Sequence, residues 1–265
     1  MKDNKIHIHS TGAHKNSIQT ENFHKRLVQD TGSKKNIAQA ARYYLLRTGD
    51  YWISLLCTSM LGLGFWYVLK RGLLTPRGEP YILLVLYSLH LGLSFIASNA
   101  MVVNLTIKDV QSKRIEFLLS SGIDMASLIR TYTFEMWRLG SLGPGLFYIL
   151  ILMFFPFQDG IWPYILIFVT SNLLCYAETL FLNVTAFTRK NFKLYRQMIL
   201  FLGCLFIFLL GNGSTFLLDF LNQQGLSLAS TLIAVNSLLA GLFMALSFPR
   251  LRKISSEVIF HLERL

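Results

Sequence analysis

The chain has 265 residues, of which 53% are hydrophobic and 15% charged, and its formal net charge is +11. Soluble domains usually carry about 25% charged residues, so this composition excludes an ordinary soluble enzyme or binding domain. The hydrophobic residues gather in blocks of about 20, the length that crosses the hydrocarbon core of a bilayer as a helix. The sequence therefore predicts an all-α integral membrane protein.

Two segments of different character precede the first apolar block. Residues 1–33 are polar, and we expect a mobile tail there whose four histidines are too loosely spaced to indicate a metal site. In residues 34–47, one helical face is predicted to consist of Ile37, Ala40, Ala41, Tyr44 and Leu45. Because the same segment carries several cations, it predicts an interfacial helix that leads into the first span.

Six apolar blocks follow, and each predicts one transmembrane helix. Their predicted bounds are 51–69, 81–106, 133–155, 162–187, 197–221 and 226–248. Glycines and Pro144 are expected to interrupt or kink the third helix. Residues 211–213, Gly-Asn-Gly, break the fifth, and either a re-entrant hairpin or glycines that serve packing alone explains them. The predicted organisation is a tail (1–33), a six-span domain (34–250) and a second tail (251–265).

The distribution of cations predicts the orientation of the spans. Clusters of Lys and Arg precede the first span, lie between the second and third and between the fourth and fifth, and follow the sixth. Only the loop with Lys70, Arg71 and Arg77 disagrees with this pattern. By the positive-inside rule, both termini are cytoplasmic in a multi-pass protein of the cell membrane. Because the cations follow the topology instead of forming one patch, no nucleic-acid partner is indicated.

A few ionisable residues lie within or beside the predicted spans. Glu135 and Arg138 are three residues apart and can pair on one helical face. Glu178 and His90 lie deeper. Each charge at membrane depth costs about 2.5 kcal/mol or more, so all four are candidates for a pathway or gate. The alternatives are an interfacial ion pair for Glu135 and Arg138, an assembly contact for Glu178 and a packing role for His90.

The segment 107–130, between the second and third spans, is charged and amphipathic. Its apolar residues recur mostly at three- and four-residue steps; they are Ile107, Val110, Ile115, Leu118, Leu119 and Ile123. Its polar surface is assigned to Lys108, Asp109, Lys113, Arg114 and Glu116. An ordered helix here is more than a reversal of direction requires, so we expect a partner to dock on it. The alternative is a helix that lies on lipid.

No catalytic signature occurs in the sequence. It has no G-x-x-x-x-G-K-[ST] phosphate loop, no H-E-x-x-H zinc motif and no G-x-S-x-G nucleophile motif. We therefore expect that the chain is not an enzyme by itself, and that it binds no metal or cofactor directly.

The order of these features resembles the transmembrane subunit of an ABC-2-type (type V) ABC transporter. The shared features are a basic interfacial helix, two spans, an amphipathic cytoplasmic helix, and four spans of which the third, the fifth overall, is broken. Within the second-to-third loop, residues at places compatible with the family pattern are Asp109, Arg114, Glu116, Leu118, Leu119, Ser121, Gly122, Ile123 and Arg130. The chain departs from that pattern at Gly122, where proline is frequent, and at 112–115, where a Gly-Thr pair is frequent. These departures leave the subfamily and the cargo open.

The resemblance implies a permease subunit of an exporter that works as a homodimer or heterodimer. Residues 107–122 would be the coupling helix, seated in a cleft of a separate ATPase subunit that binds ATP and Mg²⁺. The implied coupling residues are Asp109, Lys113, Arg114, Glu116, Leu118 and Leu119. The cargo would be amphipathic: a peptide, a lipid-linked molecule or a drug. The alternative function is a non-transporting membrane scaffold or sensor that docks a cytoplasmic signalling partner.

Overall fold

The computed structural model describes residues 35–71, 78–120, 123–154, 160–188, 197, 201 and 213–254. Throughout these residues all regular secondary structure is helical, which confirms the predicted all-α class for this part of the chain. The predicted tails, at 1–33 and mostly at 251–265, lie outside the described residues.

Nine α-helices are defined within the described ranges. They are α1 (35–47), α2 (Gly49–Lys70), α3 (Glu79–Val102), α4 (Lys108–Gln111), α5 (Arg114–Ser120), α6 (Met125–Phe154), α7 (Trp162–Thr188), α8 (Ser214–Gln223) and α9 (Leu228–Lys253). A π-helical turn, Val103–Ile107, joins α3 to α4 without a break.

Within the described part of the chain, five helices are long and apolar enough to cross a membrane. They are Tyr51–Lys70, Glu79–Val110, Met125–Met153, Trp162–Thr188 and Leu228–Lys253. These correspond to five of the six predicted spans. The predicted fifth span lies mostly outside the described residues, and its second part falls within α8, which begins directly after Gly213.

Of the two expected effects on the third span, the interruption is wrong, because α6 is one helix with Pro144 inside it, and the kink stays a prediction. The small residues here allow a close approach of α6 to α3: a Cβ added at Gly140 would lie 2.8 Å from Ser98 Oγ and 3.2 Å from the Ser98 backbone nitrogen. The glycine therefore serves helix packing.

The buried face of α1 packs against the protein itself. Ile37, Ala41 and Leu45 recur at four-residue steps and are buried, with Leu45 fully inaccessible. Tyr44 is partly buried against the same core, whereas Ala40 is exposed, so its assignment to this face is wrong. The three buried residues belong to a core that includes residues of α5 and of the adjacent ends of α3, α6, α7 and α9. We call this end of the bundle the α1 end.

Candidate functional site

The segment that connects α3 to α6 begins as a direct continuation of a candidate span. The helix runs from Glu79 through the π-turn into α4, and it ends at Gln111. Because no loop separates α4 from the span, any displacement of α4 is transmitted to α3 along a continuous helix.

Lys113 separates α4 from α5. Its φ is +58°, in the left-handed region that non-glycine residues seldom adopt. The Ser112 N–H still donates to the Lys108 carbonyl at 2.9 Å, whereas α5 starts afresh at Arg114. The prediction of one amphipathic helix over 107–122 therefore needs correction: the segment consists of two short helices with a bend between them.

Asp109 faces the protein interior instead of the predicted polar surface. It is 2% exposed, and its Oδ2 accepts a hydrogen bond of 2.8 Å from the Tyr132 hydroxyl of α6. Arg114 Nη1 lies 3.6 Å from the other carboxylate oxygen. The hydroxyl and the guanidinium compensate the buried charge, so Asp109 joins α4, α5 and α6.

Most of the described apolar residues of the segment pack against other helices of the chain. Ile115 is 2% exposed in the core of the α1 end, and Ile107, Leu118 and Ile123 pack against that core. Val110 is the exception, at 42% exposed. Among the described apolar residues of this face, Val110 is therefore the one most accessible to a partner.

A basic surface remains accessible around the bend. Lys108, Ser112 and Lys113 are exposed, and the Arg114 side chain is 45% exposed. Glu116 is half-buried, and the side chain of Leu119 lies outside the described part. We call Lys108, Val110, Ser112, Lys113 and Arg114 the bend surface.

A second polar contact joins α1 to α6. Arg42 Nε and Nη2 donate to the two carboxylate oxygens of Glu135 at 2.9 and 2.8 Å. The Glu135 side chain is 2% exposed and that of Arg42 39%. The hydrogen bonds and the negative charge of Glu135 raise the pKa of the Arg42 guanidinium above its usual value.

The predicted pairing of Glu135 with Arg138 is wrong. Arg138 is exposed, and Glu135 points into the α1 end, where Arg42 reaches it from another helix. A guanidinium that meets both carboxylate oxygens satisfies a buried carboxylate better than a neighbour directed away from it. Arg114 also lies over the Tyr44 ring, 5.9 Å from its centre, which ties α5 to α1.

Glu178 lies at membrane depth in α7 and is fully buried. Asn99 Nδ2 of α3 donates to its Oε1 at 3.2 Å. Glu178 Oε2 and Asn99 Oδ1 have no hydrogen-bond partner among the described residues. A buried carboxyl group in this state is the most unusual polar feature of the described chain.

His90 of α3 is also fully buried, within an aromatic pocket. The ring centres of Tyr148 and Phe168 are each 5.2 Å from that of His90. Asn172 Nδ2 is 3.3 Å from His90 Nε2, and an amide nitrogen only donates, so Nε2 is the acceptor. This environment fits the packing role better than a gate.

Uncharged polar residues that sequence reasoning passed over also join the helices. Thr106 donates to Asn183 Oδ1 at 2.5 Å, and Asn183 Nδ2 donates to Thr133 Oγ1 at 3.1 Å. Toward the opposite end, the Tyr87 hydroxyl donates to Asn236 Oδ1 at 2.6 Å. Asn within apolar blocks was the available signal, because a buried amide needs a partner on another helix.

No cluster that could hold a metal ion occurs among the described residues. No protein-family model and no curated protein matches the chain.

Proposed function

We propose that the chain is a permease subunit of an ATP-driven exporter of the ABC-2 type. It works as a dimer in the cell membrane with both termini cytoplasmic, and separate ATPase subunits that bind ATP and Mg²⁺ dock on the bend surface. The observation that carries the proposal is the connection of the bend to the spans. An exposed, basic element is joined to α3 by a continuous helix and to α6 by the Asp109–Tyr132 hydrogen bond.

This connection gives the segment the properties of a lever. A partner that pulls or pushes on α5 acts on Arg114, which lies beside Asp109, and Asp109 is bonded to α6. Force on α4 acts directly on α3. Because both paths are short, movement of the bend surface displaces two candidate spans together.

The surface available to the ATPase determines its complementary chemistry. The bend surface consists of three cations, Ser112 and one exposed valine, since Ile107, Ile115, Leu118 and Ile123 pack against the core of the chain. The partner therefore presents acidic side chains around a small apolar depression, where electrostatic complementarity sets orientation and association rate.

An apolar cleft supports an amphipathic cargo. It has a volume of about 590 Å³ and lies between α2 and α6, where Gly62, Trp66, Gly143 and Phe147 are among the residues that line it. Its walls offer few polar groups, so it suits the hydrophobic part of a peptide, lipid-linked molecule or drug. A second permease subunit, identical or different, completes the pathway.

Charge reversal on the bend surface tests the proposal. Co-expression with candidate ATPases, followed by purification in lipid nanodiscs, measures binding. We expect Lys113→Glu to weaken ATPase binding at least tenfold, since it places like charges at a desolvated contact. The matched control is Lys70→Glu, an exposed lysine at the end of α2 on the opposite side of the membrane from the bend in the proposed topology.

Two results would oppose the proposal. The first is a well-folded chain that binds none of the candidate ATPases. The second is equal ATPase binding by the Lys113→Glu and Lys70→Glu variants. A cytoplasmic partner that binds the bend without hydrolysing ATP would instead support the scaffold or sensor.

A further inference from the structure

In the contact between Glu178 and Asn99, one buried oxygen atom of each side chain has no hydrogen-bond partner among the described residues. Asn99 Nδ2 and Glu178 Oε1 are 3.2 Å apart, so the two groups already meet. The atoms without a partner are the amide oxygen of Asn99, Oδ1, and the second carboxyl oxygen of Glu178, Oε2. Both side chains are at most 2% exposed. Two oxygens that only accept cannot satisfy each other.

One added proton resolves both deficits. A carboxylic acid and a carboxamide each present a donor and an acceptor on two atoms that are bonded to the same carbon. Two such groups that face each other can therefore form two parallel hydrogen bonds. With the proton on Oε2, the Glu178 O–H donates to Asn99 Oδ1 while Asn99 Nδ2 donates to Oε1. The proton also removes a negative charge, which is expensive at membrane depth.

Among the described residues, no cation forms an ion pair with Glu178 that could take the place of this proton. Within the described chain, the ion pairs involve Arg42 with Glu135 and Arg114 with Asp109, not Glu178. Within one turn of Glu178 on α7, the ionisable groups are the Cys175 thiol and Tyr176. The described ionisable groups on the helices packed against α7 include His90 on α3, Arg130, Glu135 and the exposed Arg138 on α6, and Arg250 on α9, which lies over the Phe181 ring.

We propose that Glu178 binds a proton at neutral pH and, as a neutral acid, forms two reciprocal hydrogen bonds with Asn99. The pair is a proton-dependent latch between α3 and α7. Release of the proton to water leaves a carboxylate that accepts one hydrogen bond, breaks the second and places a charge between the helices. Since α3 continues into α4, opening the latch loosens the helix that leads to the bend. This site is independent of the identity of the docking partner.

Infrared spectroscopy of the chain in lipid nanodiscs tests the protonation state. We expect a carbonyl-stretch band of a protonated carboxylic acid at neutral pH, which disappears in Glu178→Gln. Glutamate-selective ¹³C labelling shifts the band if it arises from a glutamate, and this assignment needs no substitution. Asn183→Leu, which alters a different polar contact of α7, is the control and should leave the band in place.

Thermal unfolding of three variants tests the reciprocal geometry. Glutamine has the same donor and acceptor arrangement as the neutral acid, so Glu178→Gln should melt at the same temperature as the unsubstituted chain. Glu178→Leu should melt about 2 to 4 °C lower, because interhelical hydrogen bonds are lost and Asn99 is left unpaired. Asn99→Leu should also lower the melting temperature and shift the infrared band toward that of a free acid.

Three outcomes would overturn the proposal. The first is the absence of a protonated glutamate band at neutral pH. The second is a Glu178→Gln variant that is as unstable as Glu178→Leu. The third is stabilisation of the chain, but not of Glu178→Gln, by added Na⁺ or K⁺, since that result assigns the site to a metal cation bound by an ionised carboxylate.

Discussion

Helices α2 and α3 have similar mean hydropathy but differ in how much of each helix is buried by the rest of the protein. Their candidate spans have mean hydropathies of 1.6 and 1.8, yet 22% of the α2 window is buried against 72% of the α3 window. In α2, Thr58 and Ser59 hydrogen-bond to carbonyls of their own helix. In α3, Tyr87 bonds to α9 and Asn99 bonds to α7.

The difference shows which residues of a membrane protein indicate that a helix is buried. Lipid is as apolar as a leucine-rich core, so hydropathy does not distinguish a lipid-facing helix from a central one. A polar side chain does, because it needs a partner that lipid does not provide. Contacts between polar groups of different helices therefore mark the interior of this bundle, and the following substitutions test that relation.

The largest loss of stability is expected from Arg42→Leu. This change leaves the carboxylate of Glu135, 2% exposed, without the cation that meets both of its oxygens. Thermal unfolding in nanodiscs measures the loss. The double variant Arg42→Leu with Glu135→Leu should recover most of it, and a double variant as unstable as the single one would show that the ion pair is not its cause.

A smaller loss, about 1 to 3 kcal/mol, is expected from Gly140→Ala. The added Cβ meets Ser98, including its backbone nitrogen at 3.2 Å, and forces α3 and α6 apart. Gly64→Ala on α2 is the matched control, since nothing lies within 4 Å of its added Cβ. That variant should be unchanged or up to about 1 kcal/mol more stable. Equal losses of stability in the two variants would contradict the proposal that α3 and α6 pack more closely than α2 does with its neighbours.

Asn183→Leu should cost about 1 to 2 kcal/mol. Asn183 bonds to Thr106 on the helix that continues α3 and to Thr133 on α6, so leucine leaves two threonines without their partner. Ser59→Ala on α2 removes only a bond within one helix and should stay within about 0.5 kcal/mol of the unsubstituted chain. Chemical unfolding of both variants in the same lipid provides the comparison, which fails if Ser59→Ala is the more damaging change.

A loss of stability of about 1.5 kcal/mol is expected from Tyr132→Phe, because it removes a hydrogen bond to a buried carboxylate. This substitution removes only the hydroxyl that donates to Asp109 at 2.8 Å, and the ring remains packed at the α1 end. Its main expected consequence is a weaker mechanical link between the bend and α6. Thermal unfolding measures the first effect, and stimulated ATP hydrolysis measures the second.

Length and hydropathy were sufficient to predict most of the helical layout. The predicted 51–69 and 162–187 each end one residue before the candidate spans do, at Lys70 and Thr188. The predicted start of the third span at 133 was eight residues late, because α6 begins at Met125 behind the polar Asp124. Hydropathy detects the apolar part of a helix and does not detect its polar extension.

The candidate site was harder to predict because its partners are distant in sequence. Arg42 and Glu135 are 93 residues apart, and only the fold brings them together. Asp109 was assigned to a polar surface since a carboxylate is usually solvated, and the Tyr132 hydroxyl that permits its burial lies on another helix. The bend at Lys113 has no glycine or proline to indicate it.

The decisive measurement is the rate of ATP hydrolysis by a bound ATPase in the same lipid membrane, with the unsubstituted chain and with Tyr132→Phe. It tests whether movement of the bend surface is coupled to α6. If the bend transmits ATPase movement through Asp109 to α6, the unsubstituted chain stimulates hydrolysis. Tyr132→Phe should then bind the ATPase with equal affinity but stimulate it several-fold less. An ATPase whose rate does not respond to the unsubstituted chain would contradict the permease function, and equal stimulation by both chains would contradict the coupling path.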